Sequence, residues 1–276
     1  MLYLVATPIG NLEDITLRAL KVLKSVEILA CEDTRNTQKL LNHYEITGKK
    51  LISYHEHNEE KTSEKIISYL EEGREVALVT DAGMPCISDP GYILVEKIKK
   101  AGLPITTLPG ANAGLTALVA SGIESYNYTF YGFLPRKSKD LKLKLEEILK
   151  MNTTSILYES PYRVKNLVEE ISKISPTRKI SVARELTKMF EQIETSSAEE
   201  ILEMLGNKIK EKGEFVVIIS PNKDEKSEEV NVDELVELIY QKVQNGEKKS
   251  EAIKNIAKEF SINKKEVYSL YHEKYD

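Results

Sequence analysis

The sequence predicts an α/β protein, built as two α/β domains followed by a small helical extension. Three observations carry this. Short apolar runs alternate with amphipathic stretches over residues 1–124, the pattern of a parallel sheet with helices on both faces. A second alternation fills 125–222. Beyond it, a Glu/Lys/Ser-rich stretch at 223–231 has no apolar anchor and reads as a linker, and 232–276 shows helical spacing alone.

The first strand is expected at 2–6, and its exit carries Pro8 and Gly10. A helix follows from Thr16, with Leu17, Leu20 and Leu23 on one face. Further strands are expected at 26–30, 51–54, 76–80 and 104–108, with helices between them. Examples are Thr62 to Glu72 and Tyr92 to Ala101, the latter closed by Gly102. Pro109-Gly110 then leads into a small-residue helix from Ala113 to Ser121. In the second domain, strands at Tyr128–Phe133, Thr154–Glu159, Lys179–Arg184 and Glu214–Ser220 alternate with helices at Ser138–Met151, 161–173 and 197–212. The tail reads as helices at 232–244, 248–259 and 263–274. Lys248 to Tyr268 resembles a small helix-turn-helix, with Ser250 and Asn263 as caps.

Composition narrows the function. Of 276 residues, 41% are hydrophobic and 30% charged, which suits a globular chain with an ample core. A net charge of −5 argues against a general coater of nucleic acid, though positive charge can gather on one face. Two cysteines, Cys31 and Cys86, make no disulfide framework or zinc site. His55 and His57 alternate on an extended segment and make a poor metal pair, so no metal is expected. With neither a leader nor a run approaching the ~18 residues of a membrane span, a cytoplasmic protein is expected.

Three strand exits carry glycine: Thr7-Pro-Ile-Gly10, Leu108-Pro-Gly-Ala-Asn112, and Asp81-Ala-Gly-Met-Pro-Cys-Ile-Ser-Asp-Pro-Gly91. The last, with two Gly, two Pro and two Asp, marks a site more than a connection, against the plainer reading of a two-turn link to the helix from Tyr92. Together they point to a ligand at the carboxyl ends of parallel strands, approached closely by backbone amides. No G-x-G-x-x-G and no G-x-x-x-x-G-K-[ST] occurs, which disfavours a dinucleotide dehydrogenase or an NTPase.

Seven ordered blocks (TPIGNLEDITLRAL, CEDTRNTQKLL, LISYHEHNE, DAGMPCISDPG, YGFLPRK, YESPYR and ARELTK) resemble the ribosomal small-subunit RNA methyltransferase I family. That family is a branch of the tetrapyrrole-methylase group. The likeness covers residues 1 to about 222, and the tail resembles an extension found on many members. It implies a parallel-sheet N-terminal domain and a mixed-sheet second domain, with S-adenosyl-L-methionine in the cleft between them. It implies methylation of a ribose 2′-hydroxyl on a cytidine in the decoding region of small-subunit ribosomal RNA, within an assembled or nearly assembled subunit, by a homodimer. The resemblance maps cofactor contacts onto Ile9, Gly10, Ala82, Gly83, Ile87, Asn112, Ala113, Glu159 and Leu186. Departures fall at Met84 and Cys86, where the family more often has Thr and Gly. Tyr162 stands where it has His, and Asn112 where Ser or Thr is common.

Methyl transfer to a hydroxyl needs positioning and help with one proton. Glu32, Asp33, Arg184, Glu185 and Lys188 are the expected catalytic set, with Lys188 considered as a neutral amine. Arg35, Arg136, Lys137, Lys139, Arg163, Lys248 and Lys249 are the expected RNA contacts. An interdomain salt-bridge network is the competing account of the first set, and a solvated helix face that of the second. Two other functions share these features: a tetrapyrrole (small-molecule) methyltransferase, and a non-enzymatic ribosome- or RNA-binding protein.

Overall fold

The computed structural model describes residues 1–222, 232–259 and 264–275, which fall into two compact units, Met1–Pro221 and Asn222–Asp276. The expected linker at 223–231 and the Asn263 cap lie outside the described residues.

The first unit opens with β1 (Leu2–Val5), α1 (Leu17–Ser25), β2 (Ile28–Cys31), α2 (Thr34–His43), β3 (Lys50–Ser53), α3 (Glu59–Glu71), β4 (Val76–Val79), α4 (Tyr92–Lys100) and β5 (Ile105–Leu108). The five strands form one sheet in the order β3-β2-β4-β1-β5, with every pairing parallel. β2 and β4 are buried along their whole length, as continuous apolar strands covered on both faces must be. Ile66, Leu70, Leu94 and Ile98 of α3 and α4 cover one face. Ala19, Leu23, Leu40 and Leu41 of α1 and α2 cover the other.

The chain continues through α5 (Ala113–Ala120), β6 (Tyr128–Phe133), α6 (Ser138–Lys150), β7 (Thr154–Glu159), α7 (Val164–Ile174), β8 (Lys179–Arg184), β9 (Gln192–Ser197), α8 (Ala198–Met204) and β10 (Phe215–Ile219). The second sheet has the order β6-β7-β10-β8-β9. β6 pairs parallel to β7, and the remaining pairings are antiparallel. The expected mixed sheet is therefore present. β10 alternates faces with the period of a strand: Phe215, Val217 and Ile219 enter the core beneath α6, α7 and α8, while Val216 and Ile218 face α5. That second core also holds Ile9 and Leu186, so one apolar cluster joins the first loop, α5 and the second sheet.

Several expectations shift; α3 starts at Glu59 rather than Thr62, and the helix expected over 161–173 is Val164–Ile174. β9 is an addition; its Gln-Ile-Glu-Thr-Ser-Ser sequence shows no apolar alternation. The helix expected over 197–212 ends at Met204, and Gly206 at φ +84° follows. The second strand starts at Ile28 rather than 26, because the Val26 amide still donates to Val22 O of α1 (3.0 Å).

The second unit contains α9 (Val232–Gln244), α10 (Lys249–Glu259) and α11 (Lys264–Tyr275). They close on a core of Leu235, Val236, Ile239, Ala252, Ile253, Ile256, Val267 and Tyr271. α10 begins at Lys249, so Ser250 sits in its first turn instead of at the cap.

Candidate active site

Parallel strands deliver their carboxyl ends to one edge, and the loops that leave β1, β4 and β5 meet there. Thr7 and Gly83 exchange backbone hydrogen bonds, N to O, at 2.9 and 3.0 Å, which locks the first loop to the second. Gly83 has φ +80°, a conformation that favours glycine. Gly110 packs against Ala6; a Cβ at 110 would stand 2.5 Å from Ala6 Cβ. Asn112 Oδ1 accepts the Leu115 amide (2.9 Å) and caps α5.

These loops line a cleft of about 340 Å³. Ile9, Ala82, Gly83, Ile87, Asn112 and Ala113 form one side; Glu159 ends β7 of the second sheet, and Leu186 lies in the loop after β8. Eight of the nine expected cofactor residues thus meet in one cavity. Gly10 is not among its lining residues; a Cβ there would stand 2.5 Å from Lys188 Cγ and 2.9 Å from Leu186 O. At Gly10 the first loop closes on the Arg184–Lys188 loop.

The cleft also holds residues not expected from the sequence: Asp89, Phe133, Tyr158 and the Gly213–Val216 segment. The rule that ligands sit at strand carboxyl ends passes over Gly213–Val216. β10 runs antiparallel, and its Phe215 pairs with both Glu159 and Arg184, so its amino end lies beside their carboxyl ends. Asp89 belongs to the DAGMPCISDPG block, but its environment is not legible there. Burial first, then the charge of Glu32, pushes its carboxyl up to about 7.

The expected catalytic residues fall in two places. Arg184 is buried; its Nε donates to Lys212 O (2.6 Å) and its Nη1 to Phe190 O (3.2 Å), so it ties two loops together. Lys188 Nζ pairs with Glu185 (2.9 Å) and Glu214 (3.0 Å). Burial alone would lower the Lys188 pKa, but those two partners outweigh it and raise it. Lys188 is therefore a cation at neutral pH, against its role as a neutral amine. Burial raises Glu185 and the Lys188 bond lowers it, with a net fall. Glu185 and Thr187, at φ +51° and +65°, show that this loop holds a strained path.

Glu32 and Asp33 stand elsewhere, around Asp81. The Asp33 amide donates to Asp81 Oδ1 (3.1 Å), and the Asp81 amide donates to Glu32 Oε2 (3.4 Å). Burial raises the Glu32 pKa. The Arg35 guanidinium, 2.6 Å away, holds Asp33 down to about 2.

The expected RNA contacts also divide. Arg136, Lys137 and Lys139 are exposed at the start of α6. Arg163 is committed to Leu134 O (3.2 Å), Pro135 O (3.0 Å) and the buried Glu159 (3.4 Å). Arg35 is paired with Asp33, although 85% exposed. Lys248 is exposed, and Lys249 lies 4.8 Å over the Tyr271 ring. Among the described residues no group of three His, Cys, Asp or Glu side chains could hold a metal ion, and no helix is long and apolar enough to cross a membrane.

Residues 1–202 match the model of the tetrapyrrole (corrin/porphyrin) methylases. A relative from Halalkalibacterium halodurans, named ribosomal RNA small subunit methyltransferase I, is 45% identical over 275 residues, covering 99% of this chain and 94% of its own. One of the same name from Bacillus subtilis is 44% identical, with the same coverage. The chain belongs to the ribosomal RNA small subunit methyltransferase I family. Solved tetrapyrrole methylases share the fold: a cobalt precorrin-4 methyltransferase at TM-score 0.57 and 19% identity, covering 79% of this chain and 94% of that one. Uroporphyrin-III-C-methyltransferase from Thermus thermophilus superposes at 0.53 and 18%, covering 79% and 93%.

As a member of this methyltransferase family the chain is an enzyme whose methyl donor is S-adenosylmethionine. The cleft fits that donor. Its volume lies in the ~300–1,000 Å³ range of small-molecule sites. Ile9, Met84, Ile87, Phe133 and Leu186 offer apolar surface. Asp89, Glu159 and Glu214 line it, and no Lys or Arg does. Glu159 and Glu214 are each paired with a cation outside the lining, Arg163 and Lys188, which leaves Asp89 as the lining carboxylate with no ion pair among the described residues to face a sulfonium.

Proposed function

We propose that the protein transfers a methyl group from S-adenosylmethionine to the ribose 2′-hydroxyl of a cytidine in the decoding region of small-subunit ribosomal RNA. The observation that carries this reading is the acidic, lysine- and arginine-free cleft lined by eight of nine expected cofactor residues. The names of the relatives supply the substrate class.

The bound donor supplies an electrophilic methyl on a positively charged sulfur. The chain's part is to hold and to balance charge. The Thr7–Gly83 pairing and the Asn112 cap fix the loops on the cofactor side. Arg184 holds the loop that carries Lys188, whose Nζ pairs with the cleft residue Glu214. Protonated Lys188 stabilises negative charge on the reacting oxygen or an adjacent phosphate. Asp89, near neutrality, is the carboxylate best matched to accept a proton at working pH. Arg136, Lys137 and Lys139 draw in the RNA backbone, and the chain works as a cytoplasmic homodimer on an assembled or nearly assembled subunit.

Labelled methyl transfer to isolated small subunits, to free ribosomal RNA and to a precorrin-type tetrapyrrole tests the reading. Label on the subunit, at a nucleotide whose 3′ phosphodiester resists alkali, is the expected result. Label on the tetrapyrrole alone would overturn it.

A further inference from the structure

A second cavity of about 150 Å³ lies beside the first. We infer that it reads the base of the target nucleotide, and reads it as cytosine; this rests on the RNA reading above. Its volume is about half that at which whole-ligand sites begin, so it suits one ring of a larger substrate. Pro8 and Leu40 are buried in its wall, and Leu12 stands at its rim.

Three exposed polar side chains complete it as a connected row. Lys39 Nζ donates to Asn36 Oδ1 (3.3 Å), and Asn36 Nδ2 donates to Asp81 Oδ2 (2.9 Å). The row therefore offers a carboxylate acceptor at one end and N–H donors along the rest. Cytosine presents the complement: an exocyclic amine, then a ring nitrogen and a carbonyl oxygen that accept. Uracil would set a carbonyl oxygen against the Asp81 carboxylate. Adenine has the amine beside an acceptor, but on a fused double ring.

The position suits a nucleoside. Thr7 and Pro8 line this cavity while Ile9 lines the larger one; Asp81 lines this one while Ala82 and Gly83 line the larger. The paired backbones of Thr7 and Gly83 form the ridge between them. A base seated on the small side sets its ribose at that ridge, beside the cofactor cleft. It also gives the carboxylates around Asp81 a place in substrate recognition.

The test is methyl transfer to small subunits carrying C or U at the modified position, with Asp81→Asn, Lys39→Ala and Leu12→Trp. Wild type should prefer C. Asp81→Asn should cut that preference about tenfold or more, because an amide accommodates the uracil oxygen. Lys39→Ala and Leu12→Trp, both surface changes, should raise KM for the subunit severalfold while calorimetric S-adenosylmethionine affinity holds. Unchanged preference and KM in all three variants would overturn the base pocket and leave the RNA reading standing. No transfer to any RNA by wild type would overturn both.

Discussion

Asp89 concentrates the chemistry of the cleft at one residue. Its carboxyl is raised from 3.8 to about 7, by burial and then by Glu32. Between those values the folded chain keeps a proton that the unfolded chain has released, so stability falls as pH rises through that window. Asp89→Asn should therefore stabilise the protein at pH 8 by about 1–3 kcal/mol, after screening, and leave it unchanged near pH 3. Thermal melts at the two pH values check this. Cofactor binding should move the other way. A cationic ligand favours ionised Asp89, so affinity should rise from pH 6 to 8, and the rise should shrink in Asp89→Asn, read by calorimetry. Two glycines separate the roles of the loops. Gly83 is held at φ +80°, and a Cβ there meets only Ile9 Cγ2 at 3.6 Å and Ala111 O at 3.9 Å. Gly83→Val should fold at a cost of about 1–2 kcal/mol and lose cofactor affinity, because the strained residue sits in the wall of the cleft proposed for the cofactor. Gly10→Val meets Lys188, Thr187 and the Leu186 backbone instead. It should cost about 1–3 kcal/mol by overpacking and lower methyl transfer more than cofactor affinity. Equal effects of the two changes on calorimetric affinity would count against this division.

At the scale of elements, α5 makes a sharp test because its cap is also a cleft residue. Asn112 accepts the Leu115 amide, and Ser accepts an amide at this position as readily as Asn. Asn112→Ser should keep stability, whereas Asn112→Ala should lose about 1 kcal/mol in denaturant titration. Elements also differ in how legible they are in the sequence. β2 and β4 are readable because every residue is apolar and buried. The glycine loops are readable because φ above zero and close backbone approach restrict residue choice, as at Gly83 and Gly110. β9 is not, since a half-buried edge strand of Gln, Glu, Thr and Ser carries no period-2 apolar signal. Gly213–Val216 escapes because its place in the cleft depends on strand direction, which one chain's local pattern does not encode. Arg163 and Arg184 look like phosphate ligands from their neighbours in the chain. Their carbonyl partners lie 28 to 29 and 6 to 28 residues away, beyond what local spacing reveals.

Across the whole molecule, two surfaces call for partners. On α5, Leu115 and Val119 are exposed on one face, and Tyr128 and Phe130 are exposed on the edge strand β6; both elements neighbour β7. Val119 is 83% exposed, a placement that supports burial against a second copy. Light scattering at micromolar concentration should give about twice the 31.3 kDa chain mass, and Val119→Glu should shift it toward the monomer. RNA poses the opposite problem, because a chain of net charge −5 repels it on average. Attraction must come from cations not already committed. Arg35, Lys142, Lys144 and Arg163 all have carboxylate partners. Arg136, Lys137 and Lys139 are exposed and make no ion pair among the described residues. Replacing these three with Ala should leave the melting temperature and cofactor affinity in place. For every phosphate that is no longer neutralised, the log–log dependence of RNA affinity on salt should flatten by roughly 0.7 to 0.9. A triple variant should therefore show a slope shallower by about two if all three side chains reach the backbone. An unchanged slope would mean that the start of α6 is simply solvated, and that RNA reaches the cleft along another face.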